Sequence, residues 1–214
     1  MDTTEQRRRL RWADWPILAL AGLSGLLVLL VIIYTTTKPA PQSGAQSRAD
    51  MFSALGRGVD DVTLINDDGA TVRWADLNGK PRLLFFGFTR CPEVCPTTVF
   101  EISAALDELG VDHADVSVAF VSVDPARDTP EHLAAYFQSF GPLFTGYSGE
   151  QAEIDRLVRA FQAFYEYVPT SEGDYTVNHT AITFLINPAG DVVDIIGYGN
   201  PHDRRLAQLR ALLR

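Results

Sequence analysis

Two cysteines and a histidine are the residues of this sequence best suited to chemistry. Cys91 and Cys95 are the only cysteines among 214 residues, and three positions separate them. One close pair points to a redox couple or a metal site, because a disulfide framework would spread several cysteines along the chain. Thiolates are soft ligands that favour Cu(I), zinc or iron–sulfur chemistry over magnesium or calcium. Two are too few for a four-coordinate structural zinc site, so a third ligand must come from elsewhere. His179 is the best candidate, set in Thr176-Val177-Asn178-His179-Thr180 directly before an apolar run of strand length. A Cys–Cys–His set makes a three-coordinate site suited to Cu(I), and with a further ligand it suits Cu(II). By position alone His179 stands open between ligand and structural residue. The two methionines, Met1 and Met51, form no thioether cluster.

The elements around these residues decide whether they can meet. The apolar run RLLFFGF (residues 82–88) reads as a strand buried on both faces, and VSVAFVSV (116–123) as a second. The cysteines follow the first run, beyond the carboxyl end of a strand, where α/β sheets gather functional groups. Val99, Ile102, Ala105, Leu106 and Leu109 recur at helical spacing, predicting a helix over 97–109 with Pro96 as its first residue. Backbone N–H groups and the dipole at that helix start favour thiolate. If the segment is helical, positions i and i+4 also face the same way.

Upstream, strands at 59–65 and 70–74 flank the turn Asn66-Asp67-Asp68-Gly69 and read as an opening hairpin. Thr129 and Pro130 begin a second helix as N-cap and first helical residue. A third helix is expected over 151–164, strands over 181–187 and 192–198, and a closing helix over 203–213. Buried strands alternating with helices, then a hairpin and a helix, give a βαβ–ββα order. That is the thioredoxin order, so an α/β thioredoxin-like fold with an N-terminal β-hairpin extension is expected. In such folds the chain entering the strand at 181–187 passes beside the cysteines, usually with a cis-proline. Here that place carries His179.

Composition divides the chain. Residues 15–37 contain no charged side chain, and about 23 residues at about 1.5 Å each span a hydrocarbon core of roughly 30 Å. Trp12, Trp15 and Tyr34 stand near the ends of this run, and Arg7, Arg8, Arg9 and Arg11 precede it. The arginine bias predicts a single-pass anchor with the N-terminus in the cytoplasm and the body outside, in the periplasm of a bacterium. A cleaved signal peptide would have a shorter apolar core of about 7–15 residues. A mitochondrial presequence would put a long Ser/Arg-rich leader ahead of the helix. The expected organisation is a cytoplasmic tail (1–14), an anchor (15–37), a flexible Pro/Gln/Ser linker (38–50) and one domain (51–214). Residues 1–37 carry a net +1 and the whole chain −9, leaving −10 on the remainder. An acidic body argues against nucleic acid and suits a basic protein or cationic ligand.

Three segments make the sequence resemble the Sco/SenC family of copper chaperones for cytochrome c oxidase assembly: FTRCPEVCPTT (88–98), SVDPARDTPEHLAAY (122–136) and YTVNHTAITFLINPAG (175–190). The resemblance implies one copper ion per chain, Cu(I) and also Cu(II), held by the two cysteines and the histidine, which fall on Cys91, Cys95 and His179. It implies delivery to the dinuclear copper centre of oxidase subunit II, or thiol reduction there, and an upstream periplasmic copper donor. It also implies that Asp124 lines the site's surroundings or the partner surface. Glu93 stands where the family commonly has Asp between the cysteines, and Asn178 where Asp often precedes the histidine.

Plainer readings bound these expectations. A passive disulfide closing so short a loop would constrain little of the unfolded chain. A thiol–disulfide reductase would use the same pair by exchange. A redox or copper sensor would need a separate signalling domain. A peroxidase would need one activated cysteine with a nearby Thr and Arg, of which Arg90 is a faint echo. Asp124 before Pro125 also fits a simple strand-ending turn. His113, His132 and His202 read as surface. Trp74, Phe137, Phe140, Phe144, Phe161, Phe164 and Tyr165 read as core.

Overall fold

The computed structural model describes residues 51–214 except His113 and Glu172, together with Leu29, Leu30 and Tyr34. The expected tail, the linker and nearly all of the expected anchor lie outside the described residues. Among the described residues, no helix is long and apolar enough to cross a membrane.

A seven-stranded mixed sheet forms the frame. β1 (Thr63–Asn66) and β2 (Thr71–Arg73) are the expected hairpin, shorter than the sequence suggests: residues 59–62 do not join the first strand, and the second ends where Trp74–Leu77 turns into a 3-10 helix. β3 (Arg82–Gly87) is buried throughout and pairs in parallel with β4 (Ser117–Ser122). α1 (Val94–Glu108) connects them, and α2 (Pro130–Phe137) follows β4. The Thr129 hydroxyl accepts the His132 N–H, as expected of an N-cap. β5 (Phe144–Ser148) then pairs in parallel with β4, and α3 (Gln151–Ala160) follows it. β6 (Tyr165–Pro169) and β7 (Tyr175–His179) make a separate two-stranded sheet. β8 (Ile182–Ile186), β9 (Val192–Gly197) and α4 (His202–Leu212) complete the chain. The sheet order is β2-β1-β5-β4-β3-β8-β9, with β8 antiparallel to β3. This is an α/β thioredoxin-like arrangement.

The two-residue side-chain period of β3 builds a core on each face. Leu84 and Phe86 point to one face and, with Phe88, meet Ile154, Leu157 and Phe161 around α3. Leu83 and Phe85 point to the other, against Ile102 and Leu106 of α1, Leu133 of α2 and Leu209 of α4. β3 is thus covered on both sides, which explains its unbroken apolar sequence.

Three expectations change. β5 escapes the sequence reading because Phe144-Thr145-Gly146-Tyr147-Ser148 has neither a continuous apolar run nor clean alternation. Gly146 is there for space: a Cβ would lie 2.8 Å from Leu133 Cβ. The third helix ends at Ala160 rather than 164, since Gln162 takes a positive φ of 51° that breaks it and Tyr165 starts a strand. Finally, Phe164 is 58% exposed rather than core. Trp74, Phe137, Phe144 and Phe161 are buried as expected, while Phe140 and Tyr165 are half-buried.

Candidate metal centre

The three residues that suit a metal do converge. One ligand atom from each of Cys91, Cys95 and His179 lies within 4.8 Å of the others. Two donors each about 2.3 Å from one ion can stand at most about 4.6 Å apart, so closing on an ion requires only small side-chain movements. Among the described residues this is the one such group of three.

The cysteine loop differs in detail from the helical pair expected. α1 starts at Val94, so Cys95 is its second residue and Pro96 its third, while Cys91 lies in the turn ahead. No side chain caps this helix start. Instead the Cys95 backbone N–H donates to Cys91 Sγ at 3.3 Å, satisfying one of the donors a helix start leaves open. The Cys91 thiol is held well below the ordinary thiol range. Its causes are a hydrogen bond from the Cys95 side chain and the backbone N–H groups of Cys95 and Glu93, against an opposing effect of burial. Cys95 is pushed the other way, by the hydrogen bond to Cys91 and by burial. The pair without metal is therefore one half-exposed thiolate and one buried thiol, both unbridged.

β7 aims the histidine. Its two-residue period puts Tyr175, Val177 and His179 on one face and Thr176 and Asn178 on the other. Val177 is buried in the core and Asn178 is exposed, so His179 faces inward. Its ring stands edge-on to Phe85 and Phe88, each with centroids 5.8 Å away. Nδ1 lies 3.2 Å from the Thr180 carbonyl, which can only accept, so Nδ1 carries the proton. That leaves the Nε2 lone pair facing Cys95 Sγ at 3.4 Å, the orientation a metal ligand needs.

Space for the sulfur comes from Gly87 at the end of β3. A Cβ there would lie 2.7 Å from Phe120 Cε2 and 3.0 Å from Cys95 Sγ. Beneath the loop, buried Asp128 accepts from Thr89 N–H at 3.0 Å, Thr89 Oγ1 at 2.6 Å and Ser122 Oγ at 2.6 Å. It thereby ties the start of the cysteine loop to the end of β4. Asp124 is fully buried. Its carboxylate accepts from Tyr175 Oη at 2.8 Å and from Arg127 Nε.

Gly87, Asp128, Arg127 and Tyr175 carry no role in the sequence reading, although all but Gly87 fall within the three segments that suggest the family. Arg90 is exposed and bonds Asp174. His132 is exposed, with Nε2 3.0 Å from Thr89 Oγ1, and His202 is exposed and pairs with Glu108. His113 lies outside the described residues.

The SCO1/SenC family model matches residues 56–214. The chain belongs to the SCO1/SenC family. It is 36% identical over 167 residues to the mitochondrial Protein SCO1 homolog 1 of Arabidopsis thaliana, covering 78% of this chain and 46% of that protein. The chain thus spans about half the length of that curated relative. It is also similar to Bradyrhizobium japonicum ScoI, solved with copper bound: 40% identity, 71% of this chain and 96% of that one, TM-score 0.65. A third likeness is to BsSco, a member of the Sco family of cytochrome c oxidase assembly proteins in which a disulfide switch is identified. That structure is 26% identical, covers 72% of this chain and 92% of its own, and has a TM-score of 0.58. The family therefore includes mitochondrial and bacterial members, and copper is bound in solved SCO1/SenC structures.

Proposed function

We propose that this protein is a copper metallochaperone that carries one copper ion on Cys91, Cys95 and His179 to the dinuclear copper site of cytochrome c oxidase subunit II. The observation that carries the reading is the convergence of two sulfurs and an imidazole Nε2 from separate elements. The donor set fits the cargo, since two thiolates and one imidazole suit Cu(I) and a further ligand accommodates Cu(II). Copper in the Bradyrhizobium relative supports the metal's identity. Each ligand has a distinct part. Cys91, already thiolate and half-exposed, is the accessible first ligand; Cys95 gives up its proton when the ion arrives; His179 completes the site from the hairpin. Transfer to a docked acceptor proceeds by exchange of one ligand at a time.

The proposed setting is a bacterial inner membrane, with the 15–37 segment as anchor and the acidic domain in the periplasm. An upstream periplasmic protein supplies the copper. Competition between the reduced full-length chain and a Cu(I) chelator tests the reading. One tight equivalent, weakened in Cys91→Ala, Cys95→Ala and His179→Ala, is expected. No binding above the competing chelator would overturn it.

A second reading rests on the asymmetry of the cysteines. A thiolate at Cys91 and a buried thiol at Cys95 also suit disulfide reduction of the acceptor. Cys91 would attack one acceptor sulfur and expel the other as a thiolate; Cys95, losing its proton, would then attack Cys91, releasing the acceptor dithiol and oxidising the pair. His179→Ala separates the two, because copper binding depends on the imidazole and dithiol exchange does not.

A further inference from the structure

β6 and β7 pair with each other and with no strand of the main sheet. The histidine therefore rides on an arm whose position is set by side chains. At its α3 side, Tyr165 Oη donates to Asp155. Toward the cysteines the ties converge on Arg127. Its guanidinium lies 3.6 Å from the Tyr175 ring centroid, and its Nη1 donates to the Tyr175 carbonyl at 2.9 Å and to Asp174 at 3.1 Å. Its Nε donates to buried Asp124, which also accepts the Tyr175 hydroxyl. The other oxygen of Asp174 accepts from Arg90, the residue before Cys91, at 3.2 Å. Arg127 is itself only 13% exposed and Asp124 only 1%, so the bond between them is shielded from water and salt, while Asp174, 55% exposed, holds the outer edge of the cluster.

From these contacts we propose that Arg127 is a positioning residue that fixes where His179 stands against Cys91 and Cys95. The inference rests on the copper-site reading and deepens it. Tyr175 and His179 share the inward face of one strand, so holding Tyr175 by its ring, carbonyl and hydroxyl sets the tilt of β7 and where the imidazole lies. A planar fork is needed for this, since it presents donors to Asp124 and Tyr175 at once while stacking on the ring; a lysine ammonium does not do all three. Positioning contacts of this kind are worth on the order of 10–100-fold in metal affinity.

The test is a double-mutant cycle on the reduced full-length chain, reading Cu(I) affinity by chelator competition for wild type, Arg127→Met, His179→Ala and the double variant. Arg127→Met is expected to weaken binding by on the order of 10–100-fold, with no further loss in the His179→Ala background. Cys91 alkylation should stay at the wild-type rate. Wild-type affinity in Arg127→Met, or a loss that persists in full without His179, would overturn the inference. Undiminished affinity in His179→Ala would instead remove the copper reading beneath it. Should Arg127→Met fail to fold, Asp174→Asn perturbs the same tie from an exposed carboxylate. A loss of affinity confined to the His179 background would support the inference, and none would overturn it.

Discussion

Replacing Gly87 by alanine perturbs the core and the metal site through one added methyl. The new Cβ would sit 2.7 and 2.9 Å from the edge of the Phe120 ring and 3.0 Å from Cys95 Sγ. Carbon–carbon contacts relax at about 3.5–4.0 Å, so the ring must withdraw by roughly 0.8 Å or more. It has little room to do so: Phe85, Tyr136 and Phe137 pack around Phe120 with centroids 5.9, 6.3 and 5.1 Å away. Overpacking of this kind costs about 1–3 kcal/mol. For a domain of this size that is a fall in Tm of about 2–4 °C per kcal/mol. If the sulfur yields with the ring, Cys95 leaves its place beside His179 Nε2, and copper binding weakens along with stability. Calorimetry of the metal-free protein and chelator competition on the same samples read the two effects. A Gly87→Ala protein with wild-type Tm and wild-type copper affinity would refute the claim that this glycine makes room for the sulfur.

Three further outcomes follow from the same geometry. Thiolate absorbance of the reduced metal-free protein should disappear with a midpoint near pH 4, the value to which the Cys91 thiol is lowered, whereas a midpoint near the ordinary thiol value of about 8.5 would contradict it. Between those limits the unfolded chain holds a proton that folded Cys91 has lost, so this group's stabilisation grows as pH rises and vanishes as pH falls through the folded value. Asp128→Ala strands three donors and should cost on the order of 3 kcal/mol in chemical denaturation, with Cys91 more mobile; a loss under about 1 kcal/mol would mean the loop is held otherwise. Arg82→Met should be neutral or stabilising by about 1–2 kcal/mol, because the buried guanidinium, its pKa lowered to about 10 by burial, has Asn78 and the Trp74 face as partners and, among the described residues, no carboxylate; marked destabilisation would contradict this.

Much of the frame was legible because burial writes itself into local pattern. RLLFFGF and VSVAFVSV declare β3 and β4, and Thr129-Pro130 declares the start of α2. The three candidate ligands that the fold brings together could be picked out because cysteine is scarce here and a soft pair requires a third donor. What the sequence hides depends on tertiary contact. Phe144–Ser148 becomes a strand by lying beside β4, and its small central glycine serves α2 rather than its own strand. The third helix was expected to run to 164, because Phe161 and Phe164 keep a plausible spacing past the break at Gln162, and the hairpin that carries His179, which starts at Tyr165, was not anticipated. Asp124 reads in sequence as a strand-ending turn or, by resemblance, as part of the site's surroundings or the partner surface, and only the fold shows it enclosed with Arg127 and Tyr175. Gly87 gave no local signal, since its reason is a ring and a sulfur brought from other elements.

The central claim is that one copper ion takes both sulfurs and the imidazole. X-ray absorption at the copper edge of the Cu(I)-loaded full-length chain tests it directly. The account predicts two sulfur neighbours at about 2.2–2.3 Å and one nitrogen at about 2.0 Å, the nitrogen lost in His179→Ala. A first shell of sulfur alone in the wild-type protein, or one unchanged by His179→Ala, would contradict it.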